Sequence, residues 1–246
     1  FDYYPFRPAQ FRQWHPGPDV ILGGDEARAF LRWPQYKENR GGVALDSAAF
    51  PEKRLPFLAW LQDFLRATLD RPPFFGCFGL HEWAMVYRLE PAQLRHASSP
   101  LRLAPEQVAQ IIESQVVRCS HFDAFRFFAP RARPLNRLQP CRETAIQNEQ
   151  CGCLHANMDL YKWAFKLHPF APSELIADCF ALAVEIREAD MRASPYDLRA
   201  IGFAPIPIET AHGRAEYERL QRNFSDRSRP LRERLLALCA RLAPRH

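Results

Sequence analysis

Gln150-Cys151-Gly152-Cys153-Leu154-His155-Ala156-Asn157-Met158-Asp159-Leu160-Tyr161-Lys162-Trp163-Ala164-Phe165-Lys166 sets a Cys-Gly-Cys turn directly before a run of helical periodicity. At helical spacing Met158, Tyr161 and Phe165 share one face, while His155, Asp159, Lys162 or Trp163, and Lys166 share another. A helix that is apolar on one side needs only that side covered. Ionisable groups beside the aromatics therefore mark either a solvent-facing side or the wall of a pocket.

Two earlier stretches share this composition: Gly76-Cys77-Phe78-Gly79-Leu80-His81-Glu82-Trp83-Ala84-Met85-Val86-Tyr87 and Arg118-Cys119-Ser120-His121-Phe122-Asp123-Ala124-Phe125-Arg126-Phe127-Phe128. In all three a cysteine precedes a histidine by two to four residues: Cys77/His81, Cys119/His121, Cys153/His155. A carboxylate follows within four residues in each: Glu82, Asp123, Asp159. Three such runs, far apart in sequence and dense in aromatics, are expected to meet around one site.

The 246 residues are 47% hydrophobic and 25% charged, the balance of a globular protein. No apolar run approaches the ~20 residues a bilayer span needs, so no membrane partner is expected. Seven cysteines, mostly in apolar or His-containing runs, do not read as a secreted disulfide framework and point to a reducing cytoplasm. The net charge of +5 rests on its positive side almost wholly on arginine, whose planar fork suits phosphate and carboxylate. Nucleic acid is compatible with that excess, and so is an arginine-rich genomic background.

Along the chain, the aromatic and proline-rich opening cannot be a long helix and is expected to lie extended over the body through residue 19. Val20-Ile21-Leu22 and Val43-Ala44-Leu45 read as short strands, Asp25 to Leu31 as a capped helix, and Lys37 to Gly42 as a polar turn. Helices are expected over Pro56 to Leu69, His81 to Tyr87 (where Trp83, Val86 and Tyr87 leave a strand open), Glu106 to Glu113, and Ala211 to Leu242, the last divided by Pro230. Another starts with Ser173 as N-cap, carries its apolar stripe from Leu175 to Ile186, and ends at Ser194-Pro195. Val116 to Phe128 alternates and fits a strand with His121 and Asp123 on one face. Residues 91 to 105 read as a linker. Ala129 to Arg142 reads as an irregular basic loop. With no repeat and no boundary composition, the expectation is one α+β, mainly helical domain over residues 1–246, with short strands and an N-terminal segment over 1–19.

Two chemistries suit the three runs. Imidazole and thiolate are good zinc or iron ligands, and three histidines with one carboxylate leave a position open for water or substrate. His81, His121, His155 and Glu82 are the candidate ligands, although Met85 breaks an H-E-x-x-H pattern and Cys151-Gly152-Cys153 is not C-x-x-C. Alternatively, aromatic faces stack a nucleobase while a carboxylate activates water against its glycosidic bond, with no cofactor. Asp159 or Asp123 is then the base, followed by Glu82, with His81, His121 and His155 in support. Trp83, Tyr87, Phe122, Phe125, Tyr161 and Trp163 offer the faces; Asn157, Lys162 and Arg126 offer polar contacts. Arg131, Arg133, Arg137 and Arg142 would grip phosphates.

The three quoted runs, with Ser194-Pro195-Tyr196-Asp197-Leu198, resemble a bacterial family commonly labelled 3-methyladenine DNA glycosylase, over most of the chain. The resemblance implies N-glycosidic hydrolysis at a modified nucleobase, as DNA or as a nucleoside. It carries over no catalytic residue, because neither a helix–hairpin–helix segment followed by an Asp nor tandem helical repeats are present. The leading expectation is thus an N-glycosylase. A metal-dependent hydrolase or oxygenase comes next, and a non-catalytic binder of a modified nucleotide or small ligand third.

Overall fold

In the computed structural model residues 12–94 and 99–244 are described; most of the N-terminal segment expected to lie extended falls outside them. The fold is α+β and mainly helical. The chain divides into two compact units, Phe1–Arg66 with Asp159–Ala181 and Pro230–His246, and Ala67–Met158 with Leu182–Arg229. Each unit is gathered from segments distant in sequence, which is why no linker composition marks the passage between them.

The first unit holds an antiparallel sheet of β1 (Ile21–Leu22), β2 (Tyr36–Asn39) and β3 (Gly42–Leu45), in the order β1-β3-β2. Asn39 pairs with Gly42, so Arg40-Gly41 is a two-residue hairpin loop, and Gly41 supplies its positive φ of 92°. Gly42 must lack a side chain because a Cβ there would lie 1.9 Å from the Leu22 carbonyl oxygen. The expected polar turn over Lys37 to Gly42 is thus mostly strand. Lys37, Glu38 and Asn39 are exposed along a charged sheet edge, which blunts pairing with other chains. Asp25–Arg32 is a 3₁₀ helix whose start, Gly24, makes no side-chain cap.

Helix α1 (Leu55–Asp70) buries Leu58, Leu61, Phe64 and Leu65. At roughly 1.5–3 kcal/mol for each such side chain, this stripe is a main driving force for the unit. Trp163 packs edge-on to Trp60 and Phe64, at 5.4 and 5.6 Å between ring centroids. The helix expected to follow Ser173 as N-cap includes Ser173 as its first residue, and the Ser173 hydroxyl accepts the His15 N–H at 2.9 Å.

The second unit contains α2 (Leu80–Val86), α3 (Pro105–Ser114), α4 (Phe122–Phe125) and α5 (Ala145–Asn148). Helix α1 runs on into this unit from Ala67, and three further helices also contribute residues to both units: α6 (Leu154–Lys166), α7 (Ser173–Ala193) and α8 (Ala211–Leu242). Within the expected linker, Leu101 forms an antiparallel bridge with Tyr196. The expected strand over Val116 to Phe128 is absent. From His121 the backbone turns into α4, because Ala124, Phe125 and Phe128 are the buried residues and their spacing is helical. His121 and Asp123 therefore do not share a strand face. Pro230 does not divide α8, which continues through it.

Candidate metal centre

Phe78 and Gly79, both at positive φ (43° and 69°), turn the chain sharply into α2 and carry His81 inward, to 7% exposure. Asp190, fully buried, comes from α7 one turn beyond Ile186. His81 Nε2 stands 3.2 Å from Asp190 Oδ1 and 3.8 Å from Glu82 Oε1. The pair has the distance of an ion pair, and apart from each other neither atom has a hydrogen-bond partner among the described residues. Two donors each about 2.1 Å from one tetrahedral ion stand roughly 3.4 Å apart, close to this spacing.

His155, in the first turn of α6, sets its ring edge-on to His81 with centroids 4.5 Å apart. One donor atom from each of His81, His155 and Asp190 lies within 4.8 Å of the others. Arg187, three residues before Asp190, donates to Asp190 Oδ2 at 3.0 Å and to Glu82 Oε1 at 3.4 Å. It thereby fixes the carboxylate with Oδ1 turned to the imidazole, the outer-shell support that metal ligands use. Burial works against charge on Asp190, but the adjoining His81 cation outweighs it and holds the carboxyl ionised, below the usual range. Burial likewise opposes the His81 cation, and Asp190 outweighs it and raises that imidazole. His155 is driven well below its ordinary value by burial and by His81. Its ring is neutral, the form that ligates metals.

A second cluster adjoins the first. His121 precedes α4, stacks on His155 at 5.3 Å, and places Nδ1 2.6 Å from Glu149 Oε2. Arg71 holds the segment around Glu149 through the Ile146 and Glu149 carbonyls. His121, Glu149 and Cys153 also bring one donor atom each within 4.8 Å of the others. The Cys-Gly-Cys turn is held by Gln150, whose Oε1 accepts the Gly152 and Phe74 N–H groups, and by Gln221, which donates to the Gly152 carbonyl. A Cβ on Gly152 would lie 2.7 Å from the Phe74 carbonyl oxygen. Cys77, Cys119 and Cys153 line, with His81 and His155, a cavity of about 20 Å³, room for a water-sized group. Burial pushes all three thiols up.

The three Cys/His runs do meet here, as the histidines of each show. Their carboxylates behave differently. Glu82 bonds Arg187, Asp123 pairs with Arg126 at 3.3 Å, and Asp159 pairs with Lys162 at 2.5 Å in the first unit. Asp123 also brings a carboxylate oxygen within 4.8 Å of a His121 ring nitrogen and Glu82 stands 3.8 Å from His81 Nε2, while two further carboxylates at the histidines, Asp190 and Glu149, were not singled out from sequence. Asp190 had a signal, because it continues the α7 stripe of Cys179, Leu182, Ala183 and Ile186. Glu149 had none beyond its closeness to the Cys-Gly-Cys turn.

Most of the proposed stacking faces are packed. Trp83 is fully buried with Nε1 donating to the Ala193 carbonyl, and Tyr87 donates to Glu113. Phe125 packs on Phe128, Tyr161 on Phe165 and Phe180, and Trp163 among the α1 aromatics. Phe122 is half-buried under Arg142. Asn157 is fully buried and bonds the Cys151 carbonyl and Ser228. Lys162 pairs with Asp159, and the exposed Arg126 with Asp123. Arg131, Arg133, Arg137 and Arg142 are exposed on their loop. That loop is pinned by buried Asn136, which bonds both the N–H and the carbonyl of Cys119.

Compared with protein-family models, curated proteins and solved structures, the chain matches none. No described helix is long and apolar enough to cross a membrane.

Proposed function

We propose that the protein is a metal-dependent enzyme whose divalent ion, zinc or iron, is held by His81, His155 and Asp190. The observation that carries this is the convergence of one buried donor atom from each of His81, His155 and Asp190 within 4.8 Å of the others. A divalent cation would take the place of the proton that His81 now shares with Asp190, and would meet all three donors at once. Two imidazoles and one carboxylate are a donor set used by hydrolytic zinc and by oxidative iron, with positions left for water or substrate. Such an ion lowers the pKa of its water to roughly 7. The chemistry is hydrolytic with zinc and oxidative with iron. Glu82, fixed by Arg187 and 3.8 Å from His81 Nε2, is the carboxylate placed to take a proton at this centre.

Metal-free N-glycosidic hydrolysis keeps the support of the family resemblance. It has less from the geometry, because its stacking faces are taken up in packing. Seven free cysteines support a reducing, cytoplasmic setting. Elemental analysis of untagged protein, purified without added metal, tests the proposal. Stoichiometric zinc or iron is expected in the wild type, with most of it lost in Asp190→Asn and His81→Ala proteins that still melt cooperatively. A metal-free wild type, or variants that retain the ion, would overturn it.

A further inference from the structure

We infer that His121, Glu149 and Cys153 form a second metal position beside the His81–His155–Asp190 centre. The setting rests on the centre proposed above, but the argument uses different residues. All three are buried, at 4, 3 and 8% exposure, and their donor atoms lie within 4.8 Å of one another. Glu149 Oε2 is taken by His121 Nδ1 at 2.6 Å, whereas Oε1 is buried with no hydrogen-bond partner among the described residues. A carboxylate oxygen in that state is expensive to bury. A carboxylate whose only work was to orient His121 would leave Oε1 unsatisfied and give Cys153 no part.

Nitrogen, oxygen and sulfur donors together suit zinc or cobalt and not magnesium or calcium, which take oxygen ligands. The Cys153 thiolate and the Glu149 carboxylate would offset a divalent charge, the thiol proton leaving to solvent as the ion binds. What singles out Cys153 among the neighbouring sulfurs is distance, its Sγ lying within 4.8 Å of the His121 and Glu149 donors. Cys77 Sγ accepts from Gln221 Nε2 at 3.0 Å, and Cys119 Sγ donates to the His121 carbonyl at 3.6 Å. With His155 stacked on His121, the two positions would adjoin.

The test is cobalt(II) loading of the chelator-stripped full chain, followed by metal stoichiometry and ultraviolet absorption. About two ions per chain are expected, with a sulfur-to-cobalt charge-transfer band. Cys153→Ser should remove the band and one ion, and Glu149→Gln should remove one ion; Cys77→Ser and Cys119→Ser should keep both. Their melting curves separate loss of a ligand from loss of fold. One ion without a sulfur band, emptied by Asp190→Asn and unaffected by Cys153→Ser, would overturn this position and leave the first centre standing. One ion with a band that survives Asp190→Asn would uphold this position and overturn the first centre. A band lost with Cys77 or Cys119 instead of Cys153 would overturn the ligand assignment.

Discussion

Asp190 lies on a helix face otherwise formed by Cys179, Leu182, Ala183, Ile186 and Ala193, all buried. A carboxylate in that register cannot reach water, so its charge has to be met by other groups, here His81 and Arg187. Residue by residue, the histidines of the site were legible because each sits beside a cysteine and in an aromatic run. Of their carboxylate partners, Glu82 and Asp123 were legible by adjacency in sequence, whereas Asp190 and Glu149 come from segments that sequence spacing does not tie to His81 or His121. His15 shows a different histidine, one kept neutral. It is fully buried, with Nδ1 2.8 Å from the Tyr36 hydroxyl and its ring 4.6 Å from that of His168. Burial, then the charges of His168 and Arg32, lower its pKa from 6.5 to about 4. Between those values the unfolded chain binds a proton that the folded chain refuses, so stability falls as pH falls through about 6.5 and this loss is complete near 4. Melting temperatures across that window should drop more steeply for the wild type than for His15→Gln; parallel curves would refute the assignment.

Long elements were readable because their apolar periodicity is repeated over several turns, as in α1 and α7. Short elements were not. The run after Val116 alternates by composition, yet burial of Ala124, Phe125 and Phe128 closes it into a single helical turn. The hairpin was missed because its outer strand shows only charged and polar residues beyond Tyr36. Pro230 misled in the opposite direction. Proline removes one helical N–H and crowds the carbonyl four residues earlier, but Phe224, Leu231, Leu235 and Leu238 are buried on either side of it, and tertiary packing overrides the local penalty. The residue is exposed, so its ring contributes little packing. Pro230→Ala should stabilise the protein to urea by about 1–3 kcal/mol without changing its metal content. A destabilised variant would mean that the proline is fitted to the helix there.

At the scale of the whole molecule, α+β character and helical predominance were visible in the sequence, whereas the division into two units was not. The proposed metal centre arises where the second unit collects the Cys/His runs at α2, α4 and α6 beside a carboxylate from α7. Some arginines are held in ion pairs, as Arg227 is with Glu185 and Arg102 with Glu209. The central claim is that a divalent ion sits among His81, His155 and Asp190. Anomalous diffraction at the zinc and iron absorption edges, from crystals of protein purified without added metal, measures this directly. A peak about 2.0–2.2 Å from His81 Nε2, a His155 nitrogen and Asp190 Oδ1 is the result expected. A map with no peak there, at full occupancy of the surrounding side chains, would contradict it.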